Sequence, residues 1–410
     1  MKSNKSIFAF TGGGTGGHIY PGLAVADELK QLFANENKQI KIIWLGCSKG
    51  MDKKIVQQAV DDYGKTTVDR FYGIPSGKLR RYFSIQNFTD LFKITAGFFA
   101  AFFTLLKNKP CLLFSKGGFV SVPPCLAARL LRIPVFTHEC DFTLGLANKI
   151  NFHSAEKMFV SYEETKQSLP QIKQNKVIVT GNPVRPAFYK AEAKKGLEFL
   201  GLSKDNKRTG RQRDDMHGIQ NSEKPVLLVL GGSSGAKQIN ELVYSQIEFL
   251  CSNFIVVHQT GLLNADDTRS EELKEKFKGS YLPYNFIYKE MPDVVACADV
   301  IMGRSGAGTI WEGAVLFKPM VLIPLCGSGS RGDQVDNALF FEKKGAAAVL
   351  VGEKADGAHL REELTKMLDI KVRNQYSQKL RVLAGGDKPA FIIARLLFQK
   401  NKEITGEKRK

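Results

Sequence analysis

The sequence predicts an α/β protein of two doubly wound, Rossmann-like domains that face each other across a cleft. Apolar runs at 6–10 and 225–230 each lead into a glycine-rich turn and then into a segment with apolar residues at helical spacing. Other short apolar runs alternate with helical segments, which is typical of a parallel sheet. Because the two glycine-rich openings lie about half a chain apart in 410 residues, we expect two similar domains.

The first glycine-rich turn, at residues 12–17, connects the strand predicted at 6–10 to a helix. A helix N-terminus offers backbone N–H donors and a partial positive charge, so this turn is typical of a site for an anion such as phosphate. Its spacing matches neither the dinucleotide fingerprint nor the P-loop. A tight turn without a ligand stays an alternative.

His18 ends this turn. A histidine beside a helix N-terminus has its cationic form disfavoured, so we expect a neutral ring that accepts a proton from a substrate. The alternative is a polar residue that only caps the loop by hydrogen bonding.

The composition is that of a globular protein with an excess of basic residues, and the formal net charge is +18. This charge favours an anionic partner: nucleic acid, a phosphorylated small molecule or an anionic membrane surface. The seven cysteines form no CxxC pair, which favours reduced thiols in a cytosolic protein. The chain leads at once into its first strand, so we expect no signal peptide.

An apolar run at 91–106 is interrupted by Lys93 and is shorter than the roughly 20 residues that a membrane span needs. It is either a buried core helix or a helix with one face in the core and the other on a bilayer. Basic residues flank it, as expected near anionic lipid: Lys78, Arg80, Arg81, Lys93, Lys107 and Lys109. Residues 68–82, just before it, are predicted only as a polar, glycine-containing stretch.

Three loops in the second half of the chain are further candidates for a ligand site. The turn at 231–237 repeats the first opening, and 305–312 runs from a strand into a helix, with Glu312 expected in its first turn. There the carboxylate either complements the helix dipole or accepts hydrogen bonds from a ribose. A third glycine-rich loop, at 327–332, leads into Asp333 and Gln334.

We place the first domain at 1–183 and the second at 184–387. A helix at about 388–402 is expected to pack back on the first domain. Residues 204–224 are poor in apolar side chains and are expected to form a mobile surface loop.

Several of these segments together resemble one family, the MurG glycosyltransferases of peptidoglycan synthesis. They are, in the family order, GGGTGGHIYPGLAVA at 12–26, FSKGGFVSVPP at 114–124, HE at 138–139 with GLANK at 145–149, GNPVR at 181–185, LGGSSGAKQIN at 230–240, ADVIMGRSGAGTIWE at 298–312 and DQVDNA at 333–338. The resemblance implies the two-domain fold called GT-B. It also implies transfer of N-acetylglucosamine from UDP-N-acetylglucosamine to the 4-hydroxyl of the muramoyl sugar of lipid I, with inversion, to give lipid II.

The resemblance implies a set of residues that bind UDP-N-acetylglucosamine, most of them in the second domain. Ser233 would hold the diphosphate and Glu312 the ribose hydroxyls. Gln334 would contact the sugar, and Tyr288 would contact uracil through its backbone. The full set is Thr15, Gly16, Gly17, Asp141, Arg185, Ser233, Tyr288, Arg304, Ala307, Gly308, Thr309, Glu312, Asp333 and Gln334.

For the acceptor, the resemblance implies that His18 is the general base on the hydroxyl. Asp141 is the alternative base, because this chain has His-Glu-Cys-Asp at 138–141 where the family has His-Glu-Gln-Asn. A second departure is Phe119, where the family often has tyrosine. The acceptor diphosphate would be bound by Gly13, Gly14, Gly16, Gly17 and His18.

The resemblance implies neither a metal nor a cofactor. The implied partners are UDP-N-acetylglucosamine, lipid I, an anionic membrane surface and other cell-wall synthesis proteins, with no nucleic acid. The implied location is peripheral, on the cytoplasmic face of the plasma (inner) membrane. The rival hypotheses are a UDP-sugar epimerase on the same two-domain fold and a basic nucleic-acid-binding protein, the latter motivated only by the net charge.

Overall fold

The computed structural model describes residues 5–61, 64–77, 85–202, 224–232, 235–264, 268–327 and 332–407. The surface loop predicted at 204–224 lies outside these residues, apart from Lys224. The chain divides into two compact units: Met1–Arg185 with Asp387–Lys410, and Pro186–Gly386. Each unit is built around a parallel sheet.

The first unit begins with alternating strands and helices. In chain order they are β1 (Ile7–Thr11), α1 (Gly16–Asn35), β2 (Lys41–Cys47), α2 (Asp52–Gln58), β3 (Arg70–Ile74), α3 (Ile85–Asn108), β4 (Leu112–Ser115), α4 (Val122–Leu130), β5 (Val135–Glu139), α5 (Leu146–Ser154), β6 (Lys157–Val160), α6 (Glu163–Gln167), α7 (Gln171–Gln174) and β7 (Val177–Val179).

The second unit repeats this alternation, and the chain then returns to the first unit through α18. The elements are α8 (Pro186–Tyr189), α9 (Ala193–Phe199), β8 (Val226–Leu230), α10 (Lys237–Ser245), α11 (Ile247–Asn253), β9 (Ile255–Gln259), α12 (Thr268–Lys276), β10 (Tyr281–Tyr284), α13 (Met291–Cys297), β11 (Val300–Gly303), α14 (Ala307–Ala314), β12 (Met320–Leu322), α15 (Asp333–Lys343), β13 (Ala348–Val349), α16 (Gly357–Lys366), α17 (Ile370–Ala384) and α18 (Pro389–Thr405).

Both sheets reverse their strand order beside the first strand of the unit. The first sheet runs β3-β2-β1-β4-β5-β6-β7, and the second runs β10-β9-β8-β11-β12-β13. The reversal lies between β1 and β4 in one sheet and between β8 and β11 in the other. In open α/β sheets, ligands bind outside the carboxyl ends of the strands at such switch points. The predicted fold class, two doubly wound α/β domains, is confirmed.

Apolar side chains cover both faces of the first sheet. Successive residues of a strand point to opposite faces, so β1 contributes Phe8 and Phe10 to one layer and Ala9 to the other. Phe10 packs with the rings of Trp44 and Phe114, at centroid distances of 6.0 and 5.4 Å. Because both faces are buried, the strand has the continuous apolar sequence typical of a central parallel strand.

α18 completes the layer that contains α1. Ile393 and Leu397 are fully buried in the cluster that also holds Phe33 of α1. The rings of Phe33 and Phe398 meet edge-on, with centroids 4.7 Å apart. The last helix of the chain therefore contributes to the core of the first unit.

β3 lies within residues 68–82, which were predicted only as a polar, glycine-containing stretch. It pairs in parallel with β2, with Ile43 opposite Arg70 and Cys47 opposite Ile74. β3 is the edge strand of its sheet, and of its five residues only Ile74 is buried. An edge strand with so little buried surface lacks the apolar run on which the other strands were predicted.

Within the described chain, one stretch, Thr89–Asn108 of α3, is long and apolar enough to cross a membrane by length and composition alone. At 20 residues this stretch is longer than the apolar run predicted at 91–106, so the argument from length against a membrane span does not hold for it. Leu105 is nevertheless fully buried in the core, whereas Phe99 and Phe103 are 53% and 62% exposed. One face of α3 thus belongs to the core of the first unit, and the other does not.

His138 lies fully buried near the end of β5. Its Nε2 is 2.9 Å from the carbonyl oxygen of Gly181, to which it donates. Burial, followed by the charge of Lys116, holds the pKa of His138 well below its ordinary value. The ring is therefore neutral in the folded chain, whereas in an unfolded chain it gains a proton near pH 6.5.

We therefore expect the first unit to lose stability as the pH falls below about 6.5, by up to about 1.4 kcal/mol per pH unit, because only the unfolded chain binds this proton. His138→Gln keeps an N–H for Gly181 and has no ring to protonate, so its free energy of unfolding should fall less between pH 6.5 and 5. Urea unfolding followed by Trp44 fluorescence, in a Trp311→Phe background, measures this free energy. His153→Gln, at an exposed position, is the control. Equal pH slopes for wild type and His138→Gln would contradict the assignment.

Candidate active site

The first candidate site lies at the switch point of the first sheet. The glycine-rich turn after β1 is adjacent to a second turn after β4, and Lys116 N donates to Thr11 O at 2.8 Å. Gly118 has a φ of +78°, and a Cβ there would lie 2.8 Å from both His18 Cδ2 and Gly13 O. Glycine is therefore required for the second turn to approach the first this closely.

His18 is the third residue of α1, and its ring packs on the backbone of Gly118. The backbone N–H of His18 donates to Thr15 O at 3.1 Å, and Nδ1 of its ring is buried. A substrate proton would therefore have to be taken by Nε2. Gly16 and Gly17 are the first two residues of α1, so their amides stand at the helix end that attracts anions.

Arg185 belongs to the first unit, whereas most of the predicted donor-site residues belong to the second. Its side chain lies near the start of α1. Its guanidinium carbon is 4.8 Å from the centroid of the Tyr20 ring, a cation–π contact. The same ring lies beside Gly16. The contact therefore places a permanent positive charge near the helix end at which an anion would bind.

The amide of Gly14 is already engaged inside the protein. It donates to Oδ1 of the buried Asp52 at 2.9 Å, and the ring of Phe119 lies against Gly14. Gly14 was expected to bind the acceptor diphosphate through its backbone, and in this arrangement its N–H faces Asp52. The amides at the start of α1 are thus better placed for that role.

Glu139 holds the turn that carries Asp141. It is 2% exposed and accepts hydrogen bonds from the amides of Cys140, Asp141 and Gly145 at 2.9, 3.1 and 2.9 Å, and from Asn148 Nδ2 at 3.0 Å. Burial raises the pKa of Glu139, and the charge of Asp141 raises it further, against the effect of these donors. Asp141 itself is half-buried.

Ligand atoms of Glu139, Cys140 and Asp141 lie within 4.8 Å of one another, as in a metal site. Two features make the cluster unsuitable for a cation. Both oxygens of Glu139 already accept N–H donors, and the fully buried Lys116 places its positive charge beside Cys140. That charge would repel a metal ion.

The second candidate site lies between the ends of β8 and β11. Arg304 follows β11, and its amide donates to Leu230 O at 3.2 Å. Its Nη1 donates to Gln238 Oε1 at 3.1 Å. Burial lowers the pKa of Arg304, but a guanidinium keeps its charge at any physiological pH. A cation therefore stands at the switch point of the second unit as well.

Ser305 links the beginnings of α14 and α15. It is fully buried, and its Oγ donates to Gln334 O at 2.7 Å. Two helix N-termini side by side are a strong site for phosphate oxygens. The link brings together five of the predicted donor-site residues, which are the first residues of these helices: Ala307, Gly308, Thr309, Asp333 and Gln334.

Glu312 is the sixth residue of α14, so the prediction that it lies in the first helical turn is wrong. Gly306 has an extended backbone, with φ −64° and ψ 136°, and accepts the helical hydrogen bond of Ile310, so the helix begins at Ala307. The helix dipole acts mainly within the first turn. A role for Glu312 must therefore depend on its half-buried carboxylate.

Of the predicted donor-site residues that the structure describes in the second unit, Tyr288 is not brought to this point. Tyr288 lies on the loop after the edge strand β10, is 65% exposed and packs its ring against Phe286 at a centroid distance of 4.6 Å. Ser233 lies outside the described residues, as do Lys78, Arg80 and Arg81. Gln334 is at the site, but its Oε1 accepts from Leu325 N at 3.0 Å. Its side-chain NH2 group is therefore the part that could donate to a sugar.

The predicted site omits residues that shape it. Lys116 and Glu139 are polar and stand at the carboxyl ends of β4 and β5, and that position could have identified them. Asp52 gave no such signal, because its partner Gly14 lies 38 residues away in the sequence.

Comparison with known proteins identifies the family. Residues 8–160 match the glycosyltransferase family 28 N-terminal domain, and residues 226–384 match the family 28 C-terminal domain. The UDP-N-acetylglucosamine–N-acetylmuramyl-(pentapeptide) pyrophosphoryl-undecaprenol N-acetylglucosamine transferase of Treponema denticola is 46% identical over 95% of this chain and 96% of its own. The protein of the same name from Treponema pallidum is 41% identical over 89% and 88%.

Solved structures share the fold. That of Acinetobacter baumannii MurG has a TM-score of 0.67 and 24% identity, over 97% of this chain and 99% of its own. A UDP-GlcNAc 2-epimerase from Neisseria meningitidis, solved with UDP-GlcNAc, has a TM-score of 0.60 and 16% identity, over 97% and 100%. These likenesses concern the fold alone. Given both domain matches and the identity to the Treponema proteins, the chain belongs to glycosyltransferase family 28 and, within it, to the MurG group.

Proposed function

We propose that this protein transfers N-acetylglucosamine from UDP-N-acetylglucosamine to the 4-hydroxyl of the muramoyl sugar of lipid I, which yields lipid II for peptidoglycan synthesis. The observation that carries the proposal is the 40–46% identity, over 84–95% of the chain, to several proteins named for this transfer. An anion-binding switch point in each unit supports it, because both substrates are diphosphates.

We place the donor in the second unit. The diphosphate of UDP would be bound by the helix starts of α14 and α15 and by Arg304, whose planar guanidinium suits phosphate oxygens. Glu312 would accept hydrogen bonds from the ribose, and the amide group of Gln334 would donate to the sugar. Ser233 and the backbone of Tyr288 would complete the nucleotide site.

We place the acceptor diphosphate at the start of α1. Gly16 and Gly17 would donate their amides to it, the exposed hydroxyl of Thr15 stands beside them, and Arg185 adds a positive charge. No metal is needed in this proposal, because helix ends and arginines neutralise the diphosphates in both units.

The proposed chemistry is a single displacement. The 4-oxygen of the acceptor forms a bond to C1 of N-acetylglucosamine, while the bond from C1 to the UDP oxygen breaks and leaves its electron pair on UDP. His18 Nε2 removes the proton from the attacking hydroxyl. Attack from the face opposite the leaving group inverts the anomeric carbon. Asp141 would orient the sugar, and it is the alternative base.

Sugar transfer to a soluble lipid I analogue tests the proposal, with the product identified by mass. We expect wild-type protein to form the disaccharide from UDP-N-acetylglucosamine. With UDP-N-acetylglucosamine alone we expect no epimer, because a fold shared with epimerases does not imply that this protein catalyses epimerisation. Epimerisation without transfer would refute the proposal.

For the base, we expect His18→Ala to lower kcat by about 10²–10⁴-fold and to remove the acid-side inflection of the pH profile between pH 5 and 9. Asp141→Asn restores the family residue and should keep substantial activity, since the proposal gives the proton transfer to His18 and leaves Asp141 to orient the sugar. A near-normal kcat in His18→Ala, together with an inactive Asp141→Asn, would identify Asp141 as the general base instead.

For the donor site, we expect Glu312→Ala to raise the KM for UDP-N-acetylglucosamine by about 5–150-fold, which corresponds to about 1–3 kcal/mol for a lost hydrogen bond of a charged group. The KM for the acceptor should stay unchanged. Glu342→Ala, at an exposed position of α15, is the matched control. An unchanged donor KM in Glu312→Ala would count against the ribose assignment.

We also propose that the protein binds the cytoplasmic face of the membrane through α3 and α4. These two helices pack against each other and carry seven exposed apolar residues: Leu91, Phe92, Phe99, Phe103, Leu106, Leu126 and Leu130. Lys107 and Lys109 are exposed at the end of α3, whereas Lys93 pairs with Asp90 at 2.8 Å. An apolar surface with cations at its edge is typical of binding to anionic lipid.

We expect salt-sensitive sedimentation with phosphatidylglycerol vesicles, because each basic residue near an anionic surface contributes about 1 kcal/mol. Phe103→Glu combined with Lys107→Glu should reduce the bound fraction strongly. Val382→Glu, at an apolar position of the second unit that is 89% exposed, should not. Equal binding to neutral vesicles at high salt would remove the electrostatic part of the proposal.

A further inference from the structure

Asp52 is a buried carboxylate below the glycine-rich turn of the first unit. It is the first residue of α2 and is 1% exposed. Its two oxygens accept from different parts of the chain: Oδ1 from the amide of Gly14 at 2.9 Å, and Oδ2 from the amide of Cys47 at 2.8 Å. One side chain therefore ties the turn after β1 to the end of β2.

The same carboxylate fills the space next to Gly13. A Cβ on Gly13 would lie only 1.8 Å from Asp52 Oδ2. On Gly14, a Cβ would lie 2.5 Å from Cε1 of Phe119. The turn is thus held between a carboxylate and an aromatic ring, and neither neighbour leaves room for a side chain on the turn.

We propose that Asp52 is a positioning residue for the acceptor: by holding Gly13 and Gly14, it fixes the turn so that the start of α1 receives the acceptor diphosphate. The inference rests on the proposed function, since it concerns the same site. Asp52 does not itself bind the diphosphate, because it is buried and carries a charge of the same sign. It acts through the backbone of the turn.

The chemistry of the position favours a carboxylate over an amide. Two backbone donors approach two oxygens, and an ionised carboxylate accepts both bonds. Burial raises the pKa of Asp52, while the bonds from Cys47 and Gly14 lower it. An asparagine has one oxygen and one NH2 group. The backbone N–H of either Gly14 or Cys47 would then face the NH2 group, which is also a donor, and the turn would have to shift.

The test compares Asp52→Asn with Asp69→Asn. Asp69 also accepts from an amide of β2, since its Oδ2 lies 2.8 Å from Ile42 N, but it stands at the other end of that strand. We expect Asp52→Asn to raise the KM for the lipid I analogue by about tenfold or more, the effect of one buried N–H left facing a donor. The KM of Asp52→Asn for UDP-N-acetylglucosamine should stay within about twofold of the wild-type value. For Asp69→Asn, the KM values for donor and acceptor should both stay within about twofold of wild type.

A second measurement does not depend on turnover. Farnesyl diphosphate is titrated into each protein at saturating UDP, which occupies the nucleotide site, and Asp52→Asn should bind it about tenfold more weakly than Asp69→Asn does. Gly13→Ala should weaken binding in the wild-type background but add little in an Asp52→Ala background, because the carboxylate that it would contact is gone.

The outcomes separate the two proposals. A wild-type protein without transfer activity would refute the proposed function, and the farnesyl diphosphate titration would still decide the role of Asp52. If Asp52→Asn raises donor and acceptor KM equally, or if Asp69→Asn matches it in both measurements, Asp52 only stabilises the fold and the inference is wrong.

Discussion

At the ends of β1 and β4, two backbone turns approach each other more closely than any side chain at Gly118 would allow. The geometry of the first unit depends on this contact. The ring of His18 packs on Gly118, Phe119 covers Gly14, and Asp52 occupies the space beside Gly13. Since glycine leaves the backbone unshielded, neighbouring side chains must supply the rigidity that the turn lacks. The proposed general base is therefore positioned by backbone packing.

Buried polar groups in both units hold the backbone in place. Glu139 accepts three amides and one side-chain N–H, Asp52 accepts two amides, and Ser305 donates to the carbonyl of Gln334. Each of these groups is satisfied within the protein, which is the condition for burying it. In the proposed function, helix ends and arginines are the groups that would face an anion. Both units thus separate the residues that shape the site from the residues that would touch a substrate.

The fold class and the family could be predicted because their signals are local. A buried parallel strand running into a glycine-rich turn is visible within about ten residues of sequence. β3 was not predicted, because an edge strand buries little side-chain surface and therefore needs no apolar run. Glu312 was placed one helical turn too early, because the start of α14 depends on the backbone of Gly306. Asp52 could not be found, since its contact with Gly14 is created only by the fold. The substrate-contacting roles of the site residues remain predictions.

The placement of α18 determines the order in which the chain can complete its cores. During synthesis, α1 leaves the ribosome early, but Phe398, whose ring meets that of Phe33 in α1, is made near the end of the chain, as are Ile393 and Leu397 of the same core cluster. The second unit, at Pro186–Gly386, is fully synthesised before these residues appear. The nascent first unit must therefore keep an apolar strip of α1 uncovered while the second unit folds. A chaperone that shields such strips would act on the half of the protein that is made first.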